Sequence, residues 1–436
     1  LSWKITPSGA LQGEIRVPGD KSITHRAYIL GAIGEGLTDI SDPLRAEDTD
    51  STLKAIKSLG IMVHDRASQV TVHGQGPETF IEPEDLLDFG NSGTGVRLMA
   101  GVLASRPFLS ILTGDSSLRK RPMDRVAHPL RLMGALVDGR ADGKLLPLSI
   151  RGGNLKGIEY TSPVASAQIK SCVLLAALGA AGTTRIREPS PSRDHTERML
   201  DAMGVVVGRE KDGLILDGGQ VPEGKKITVP GDISSAAFFL VAAAVVEGSD
   251  VTARNIGINP TRTGIVQLLE VMGADITITP VEEGVEPRAD IRVRGSRKLK
   301  GIRVPEEWIP SIIDELPLAA VLGACAEGTT VITGAGELRV KESDRISATV
   351  EMISKTGADV SEEKTGFTIR GSSSLHAGNF NSHGDHRIAM SSAILSLAAD
   401  GESGIRDTAC VATSFPDFPD LLDSLSRGCI SVIQDG

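Results

Sequence analysis

Aromatic side chains are the scarcest large residues in this sequence: of 436 positions nine are Phe, two Tyr and two Trp, 3% in all. That excludes a row of stacking platforms for bases or sugar rings as the main means of recognition. Cysteine is nearly as rare. Cys172, Cys325, Cys410 and Cys429 show no C-x-x-C spacing, and the first two lie in apolar helical runs, so a disulfide framework is excluded and a reduced, cytoplasmic setting is expected. Positive charge is in deficit: 46 Lys and Arg against 56 Asp and Glu leave a formal net charge of −10. General attraction to nucleic acid or to an anionic membrane is therefore disfavoured, and any anion site must be a local basic cluster. No unbroken apolar run approaches the roughly 20 residues of a membrane span, and the opening Leu-Ser-Trp-Lys has no signal-peptide core.

What the chain has is small aliphatic residues, with 40% hydrophobic positions and 49 glycines. Such a composition favours closely packed helices, and the length suggests about two or three domains. The stretch Val17-Pro18-Gly19-Asp20-Lys21-Ser22-Ile23-Thr24-His25-Arg26 organises the rest. Pro18 and Gly19 end a strand-like run, and from Ser22 the pattern reads as a helix with Ser22 and Arg26 on one side. Lys21 beside the first-turn amides and the positive dipole end suits a phosphate or carboxylate. The same segment also suits an ordinary capped helix start.

One theme returns about every 70 residues, long enough for a whole α/β unit. Small-residue helices, apolar nearly all round and so expected to be buried, begin near Ser22, Gly93, Ser166, Ser234, Ser311 and Asp385. After each comes a β-branched run such as Thr183 to Ile186, Asp250 to Thr252 or Thr329 to Ile332, then a more polar helix. Five of these second helices are expected to stop at Gly60, Gly134, Gly204, Gly273 and Gly357, and the sixth to shorten to Ser414-Phe415-Pro416-Asp417-Phe418. Val-Pro-Gly-Asp at 17–20 recurs at 229–232 and divides six units into three and three. These copies read as crossovers, giving one lobe of residues 1–18 plus 230–436 and another of 19–229, with a substrate in the cleft between them.

Basic residues gather at helix starts: Lys21 and Arg26, Arg119-Lys120-Arg121, Arg193, Arg339 to Arg345, and His386-Arg387. Lys341, Glu342 and Arg345 are spaced to share a helix face, where Glu342 is either an ion-pair partner or a proton carrier. Asp314-Glu315 interrupts an apolar run, so it either caps amides or serves chemistry. Gly90-Asn91-Ser92-Gly93-Thr94-Gly95 suits a phosphate cradle. His383, Asp385 and His386 match a metal trio only loosely, and no metal is expected.

VPGDKSITHR, GNSGTGVR, KRPM, ASAQIKS, IDELP, RVKESDR and GDHRIAM, in this order over about residues 5 to 425, together resemble the 5-enolpyruvylshikimate-3-phosphate synthase family. The resemblance implies the two-lobed α/β enolpyruvyl transferase fold, an inside-out α/β barrel of six βαβαββ repeats, three per lobe. It implies transfer of the enolpyruvyl group of phosphoenolpyruvate to the 5-hydroxyl of shikimate 3-phosphate through a tetrahedral intermediate. No cofactor is expected, the partners are these two small molecules and the inhibitor glyphosate, and the chain is expected to be a monomer.

By the same resemblance, Lys21, Ser22, Arg26, Ser166, Ala167, Gln168, Arg193, Asp314 and Lys341 bind shikimate 3-phosphate. Lys21, Gly93, Arg121, Gln168, Arg345 and Arg387 bind phosphoenolpyruvate. Asp314 is implied as the base, Glu342 as the acid and Lys21 as a third catalytic group. The residue types suit the task, because two phosphates and a carboxylate repel one another unless several cations offset them. Arg forks match phosphate and carboxylate geometry.

Thr413 stands where many relatives carry Lys, and Glu337 where an Asn often binds substrate; with SRDHTE and SFPDF these mark a second, divergent class. The sister enzyme acting on UDP-N-acetylglucosamine needs a Cys in the loop 114–121, and none is there. A P-loop reading of Lys21-Ser22 fails on the Gly13 to Gly19 spacing. A non-catalytic sugar-phosphate binder would have no use for Asp314 and Glu342.

Overall fold

The computed structural model describes residues 1–434 except Ser8, Asp212, Glu282, Glu283, Arg297 and Arg427. The chain divides into two compact units. Unit one comprises Leu1–Pro18, Pro230–Glu283 and Pro287–Gly436; unit two comprises Gly19–Val229 with Gly284–Glu286. The chain therefore passes between units near the two Val-Pro-Gly-Asp segments and again at the tip of one hairpin. There Val285 packs on the apolar core of unit two and Glu286 Oε1 lies 2.7 Å from His195 Nδ1.

Five four-stranded sheets among the described residues share one pattern: an outer strand runs parallel to a central strand, which pairs antiparallel with a third, which pairs antiparallel with a fourth. In the second repeat of unit two the order is Leu87–Asp88, Leu109–Thr113, Leu145–Arg151, Leu136–Gly139. Repeats interlock by lending strands. Lys226–Thr228, from the end of unit two, completes the sheet of its first repeat beside Glu35–Ser41. In unit one, Gln12–Ile15 pairs with Asp250–Gly257, and Ser2–Ile5 lies between Ser403–Arg406 and Ile430–Ile433. The sheet of the fifth repeat has three strands, its parallel neighbour reduced to a single bridge from Arg303 to Val331.

Each repeat buries its small-residue helix. These are Lys21–Ile33, Gly93–Leu103 and Ala167–Leu178 in unit two, and Ile233–Val245, Leu316–Cys325 and His386–Leu397 in unit one. The fifth starts later than Ser311 because Pro310 and Pro317 each open a new first turn, leaving short helical pieces before Leu316. This run, Glu306–Cys325, is long and apolar enough to cross a membrane, although most of it is buried in the protein. The second helices end at Gly60, Gly134, Gly204, Gly273 and Gly357, all with φ between 80° and 110°. The sixth is not curtailed: Phe418–Ser426 is a full helix, and Phe415 and Phe418 anchor it against Trp3, Phe238 and Phe239. Five of the scarce aromatics thus gather in one cluster of the unit-one core.

In unit two the 93–103 and 167–178 helices approach so closely that a Cβ on Gly101 would lie 2.3 Å from the Cys172 carbonyl oxygen. Backbone cannot yield as a side chain can. Gly101→Ala is expected to lower stability by about 1–3 kcal/mol despite alanine's better helix propensity, read by denaturant unfolding.

Candidate functional site

Most core-helix starts are already capped by the chain's own side chains, whereas the 124–133 and 195–202 helices, which follow Arg119–Arg121 and Arg193, have no side-chain cap. Asp20 Oδ1 accepts from Ile23 N at 2.9 Å, Asp232 from Ser234 N at 2.8 Å, and Asp385 Oδ1 from Arg387 N at 2.9 Å. Asp344 accepts from Ile346 N and Ser347 N, Ser92 from Gly95 N, and Ser166 from Ile169 N at the longer 3.5 Å. Each cap takes a first-turn amide that an anion would otherwise use. Anion recognition therefore falls mainly on side-chain cations.

In unit two, Lys21 Nζ lies 2.9 Å from Asp48 Oδ2 and keeps part of its side chain exposed. Half-buried Ser22 offers its carbonyl to Arg26 Nη1. Arg26 is 3% exposed, donating to Thr196 Oγ1 at 2.7 Å and Ser171 Oγ at 2.8 Å. Burial lowers its pKa to about 10 against the opposing pull of Glu197 and Asp20, so it stays charged at neutral pH. Between them His25 is fully buried, with Nδ1 2.9 Å from Thr52 Oγ1 and Nε2 3.3 Å from Ser92 Oγ. Burial first, then Lys21 and Arg26, push it down to about 3.

A second group in this unit joins the glycine turn to the 167–178 helix. Arg121 donates to the Asn91 side chain and approaches its carbonyl. Arg97 donates to Gln168 Oε1 at 2.9 Å, to the Gly93 carbonyl at 3.2 Å and to the Pro122 carbonyl at 2.9 Å, while Gln168 Nε2 donates to Thr94 Oγ1 at 3.0 Å. A Cβ on Gly93 would lie 2.8 Å from Arg97 Nη1 and 3.3 Å from Arg121 Nη1, so glycine is what lets two guanidinium groups flank this turn. Ser166 N donates to Glu188 Oε1, Ala167 opens the helix, and Arg193 lies half-buried in the segment before the 195–202 helix.

In unit one the residues gather on Arg345, whose side chain is 1% exposed. Its Nε meets Asp385 Oδ2 at 2.8 Å, Nη2 meets Glu342 Oε2 at 2.5 Å, and Nη1 meets Asp314 Oδ1 at 3.4 Å. Lys341 Nζ shares Asp314 Oδ1 at 3.4 Å, and Arg387 Nη1 donates to the Asp314 carbonyl at 3.0 Å. Arg345 opens its helix, where the dipole opposes a cation. Burial also lowers its pKa, but Asp385, Glu342 and Asp314 outweigh burial and raise it. In return Asp385, which burial alone would raise, is held low chiefly by Arg345.

Lys341 and Glu342 do not share a helix face with Arg345 as their spacing suggested. The helix begins only at Arg345, since Asp344 is its N-cap, and both residues reach back from the preceding extended turn. Asp314 and Glu315 do not cap amides either: Glu315 accepts from Ser234 Oγ and lies 3.5 Å from Arg387 Nη1. His383 turns to Glu351, away from Asp385's partner. Thr413 donates to the Cys410 carbonyl and brings no cation. Arg97, Asp385 and Glu315 were given no substrate or catalytic role by the resemblance, although all three lie inside its motifs; for Arg97 and Glu315 the signal was a charge embedded in an apolar helical run.

A family model described as EPSP synthase (3-phosphoshikimate 1-carboxyvinyltransferase) matches residues 5–422. A 3-phosphoshikimate 1-carboxyvinyltransferase of Geobacter sp. (strain M21) is 49% identical over 425 residues, 97% of this chain and 99% of its own. One from Pelotomaculum thermopropionicum is 51% identical over 423 residues, 97% and 98% of the two chains. The solved structure of EPSP synthase from Acinetobacter baumannii superposes with a TM-score of 0.89 at 47% identity, covering 99% of this chain and 100% of that one.

His25 carries a pH signature that needs no substrate. Its folded pKa lies below the unfolded value, so the unfolded chain binds the extra proton and stability rises with pH. That contribution is full above about pH 6.5 and is lost as pH falls towards 3. His25→Gln is expected to flatten the fall in unfolding free energy between pH 6 and 4, by up to about 1.4 kcal/mol per pH unit, measured by urea titration.

Proposed function

The chain belongs to the EPSP synthase (3-phosphoshikimate 1-carboxyvinyltransferase) family and transfers the enolpyruvyl group of phosphoenolpyruvate to the 5-hydroxyl of shikimate 3-phosphate, releasing phosphate, and on that premise we propose how its side chains divide the work. The supporting observation is the knot on Arg345, in which one buried cation orients Asp314, Glu342 and Asp385 beside Lys341 and Arg387.

Lys21, Ser22, Arg26, Ser166, Ala167, Gln168 and Arg193 hold shikimate 3-phosphate, together with Asp314 and Lys341. Lys21, Gly93, Arg121, Gln168, Arg345 and Arg387 hold phosphoenolpyruvate. Asp314 takes the proton of the 5-hydroxyl as its oxygen bonds to C2, with Lys341 and Arg345 on Asp314 Oδ1 setting the carboxylate's orientation. Glu342 delivers a proton to C3. Loss of a C3 proton and departure of phosphate then regenerate the double bond in the product. Lys21 and the arginines bear the charge of the leaving phosphate. Holding both reactants in line supplies on the order of 7–11 kcal/mol of the barrier reduction.

The division into lobes of 1–18 plus 230–436 and 19–229, each of three repeats, is part of the same reading, as are action as a monomer in the cytoplasm and the absence of a cofactor. Free cysteines support the cytoplasmic setting. Glyphosate, an anionic competitor for the same cations, is expected to raise the apparent KM for phosphoenolpyruvate; inhibition indifferent to phosphoenolpyruvate concentration would refute this.

Phosphate release from the two substrates tests the assignment of roles. Arg121→Ala is expected to raise the KM for phosphoenolpyruvate at least tenfold with a smaller change in kcat, because a charge-assisted contact contributes about 1.5–3 kcal/mol. Asp314→Ala is expected to lower kcat by 10²–10⁴ with shikimate 3-phosphate binding largely kept. Full activity in Asp314→Ala would remove it as the base.

A further inference from the structure

Unit two contains a buried charged cluster that the assignment above does not use. Lys170, one turn into the 167–178 helix and 4% exposed, lies 3.0 Å from Glu188 Oε2 and 2.8 Å from Glu197 Oε1, and donates to the Ser192 carbonyl at 3.2 Å. The other Glu188 oxygen, Oε1, accepts from Ser166 N at 3.2 Å and from Ser192 Oγ at 2.7 Å. One carboxylate thus ties down the N-cap residue Ser166 and the residue next to Arg193. Ser166 and Arg193 are both assigned above to shikimate 3-phosphate.

We propose that Glu188, held by Lys170, is a positioning residue for shikimate 3-phosphate: it sets the spacing between Ser166 and the segment carrying Arg193. The inference rests on the substrate assignment above. A buried Lys between two Glu costs desolvation and is weak evidence of a purely stabilising role, since well-packed apolar residues do as well. What ion pairs and shared acceptors provide is direction, and here both anchored backbone points flank the same proposed ligand. The residues assigned to phosphoenolpyruvate have supports other than Glu188. Gln168, two residues beyond Ser166, is fixed separately by Arg97 and Thr94, and Arg121 by Asn91.

The test compares the two KM values in Glu188→Ala, Glu188→Asp and Glu188→Gln, alongside Ser166→Ala and Arg193→Ala. Glu188→Ala is expected to raise the KM for shikimate 3-phosphate about tenfold while that for phosphoenolpyruvate stays within twofold. Glu188→Asp, whose shorter arm cannot reach both donors, is expected to do the same and carries the test if the alanine variant fails to fold. Glu188→Gln keeps an oxygen for Ser166 N and Ser192 Oγ and is expected to recover most of the affinity. Parallel rises in both KM values, or a lowered melting temperature with neither KM changed, would overturn the proposal. If Ser166→Ala and Arg193→Ala raise the shikimate 3-phosphate KM but the Glu188 variants do not, the clamp is wrong and the assignment stands. If those two also leave it unchanged, the assignment fails and the clamp with it.

Discussion

A guanidinium cannot be buried without its charge being answered, and the answer Arg345 receives determines the local architecture of unit one. Its three carboxylates come from three different parts of the chain: Asp314 before the fifth core helix, Glu342 in the turn before its own helix, and Asp385 at the cap of the sixth. Each must be delivered to a particular nitrogen for the group to remain charged out of water. Asp385 does this while its other oxygen contacts cap Arg387 N, so one side chain fixes both the helix start and the cation. The consequence for chemistry is orientation. Asp314 and Glu342 are held by the same planar fork and cannot rotate independently.

Unit two solves the converse problem around Lys170 and Arg26. Arg26 is satisfied by hydroxyls of Ser171 and Thr196, and Lys170 by two glutamates and a carbonyl. Five of the six core helices begin with an acid or serine that occupies an early amide, the 316–325 helix being the exception. The repeat therefore produces rigid, self-capped helix starts, and the basic residues beside them do the recognising. The overall negative charge and the local positive clusters are compatible because the acids that neutralise the cations are built into the same helix starts.

The regular parts of this architecture were legible in the sequence. Repeated small-residue helices, β-branched runs and glycines at 60, 134, 204, 273 and 357 carry their conformation locally, through periodicity and positive φ, and all but the late-starting fifth helix lie where expected. Failures came where a local cue competed with tertiary contact. The sixth second helix was expected to shorten to residues 414–418, but packing of Phe415 and Phe418 on Trp3 and Phe239 sustains the 418–426 helix. Spacing placed Lys341, Glu342 and Arg345 on one helix face, yet Asp344 took the cap and the grouping arises through Asp314 instead. Arg97 and Asp385 were hidden because Gln168 and Arg345 lie far along the chain, and Glu188 because Ser166 and Lys170 belong to the preceding helix start, outside any local pattern.

The interleaving of strands has a bearing on how the polypeptide matures during translation. Unit two is almost finished by Val229, so it can collapse while the rest is still being made, apart from Gly284–Glu286. Ser2–Ile5 is made before Ser403–Arg406 and Ile430–Ile433 and must wait for both before it has neighbours on either side. Until then it is an unpaired β-segment, and in that interval stray pairing or chaperone capture has its opening.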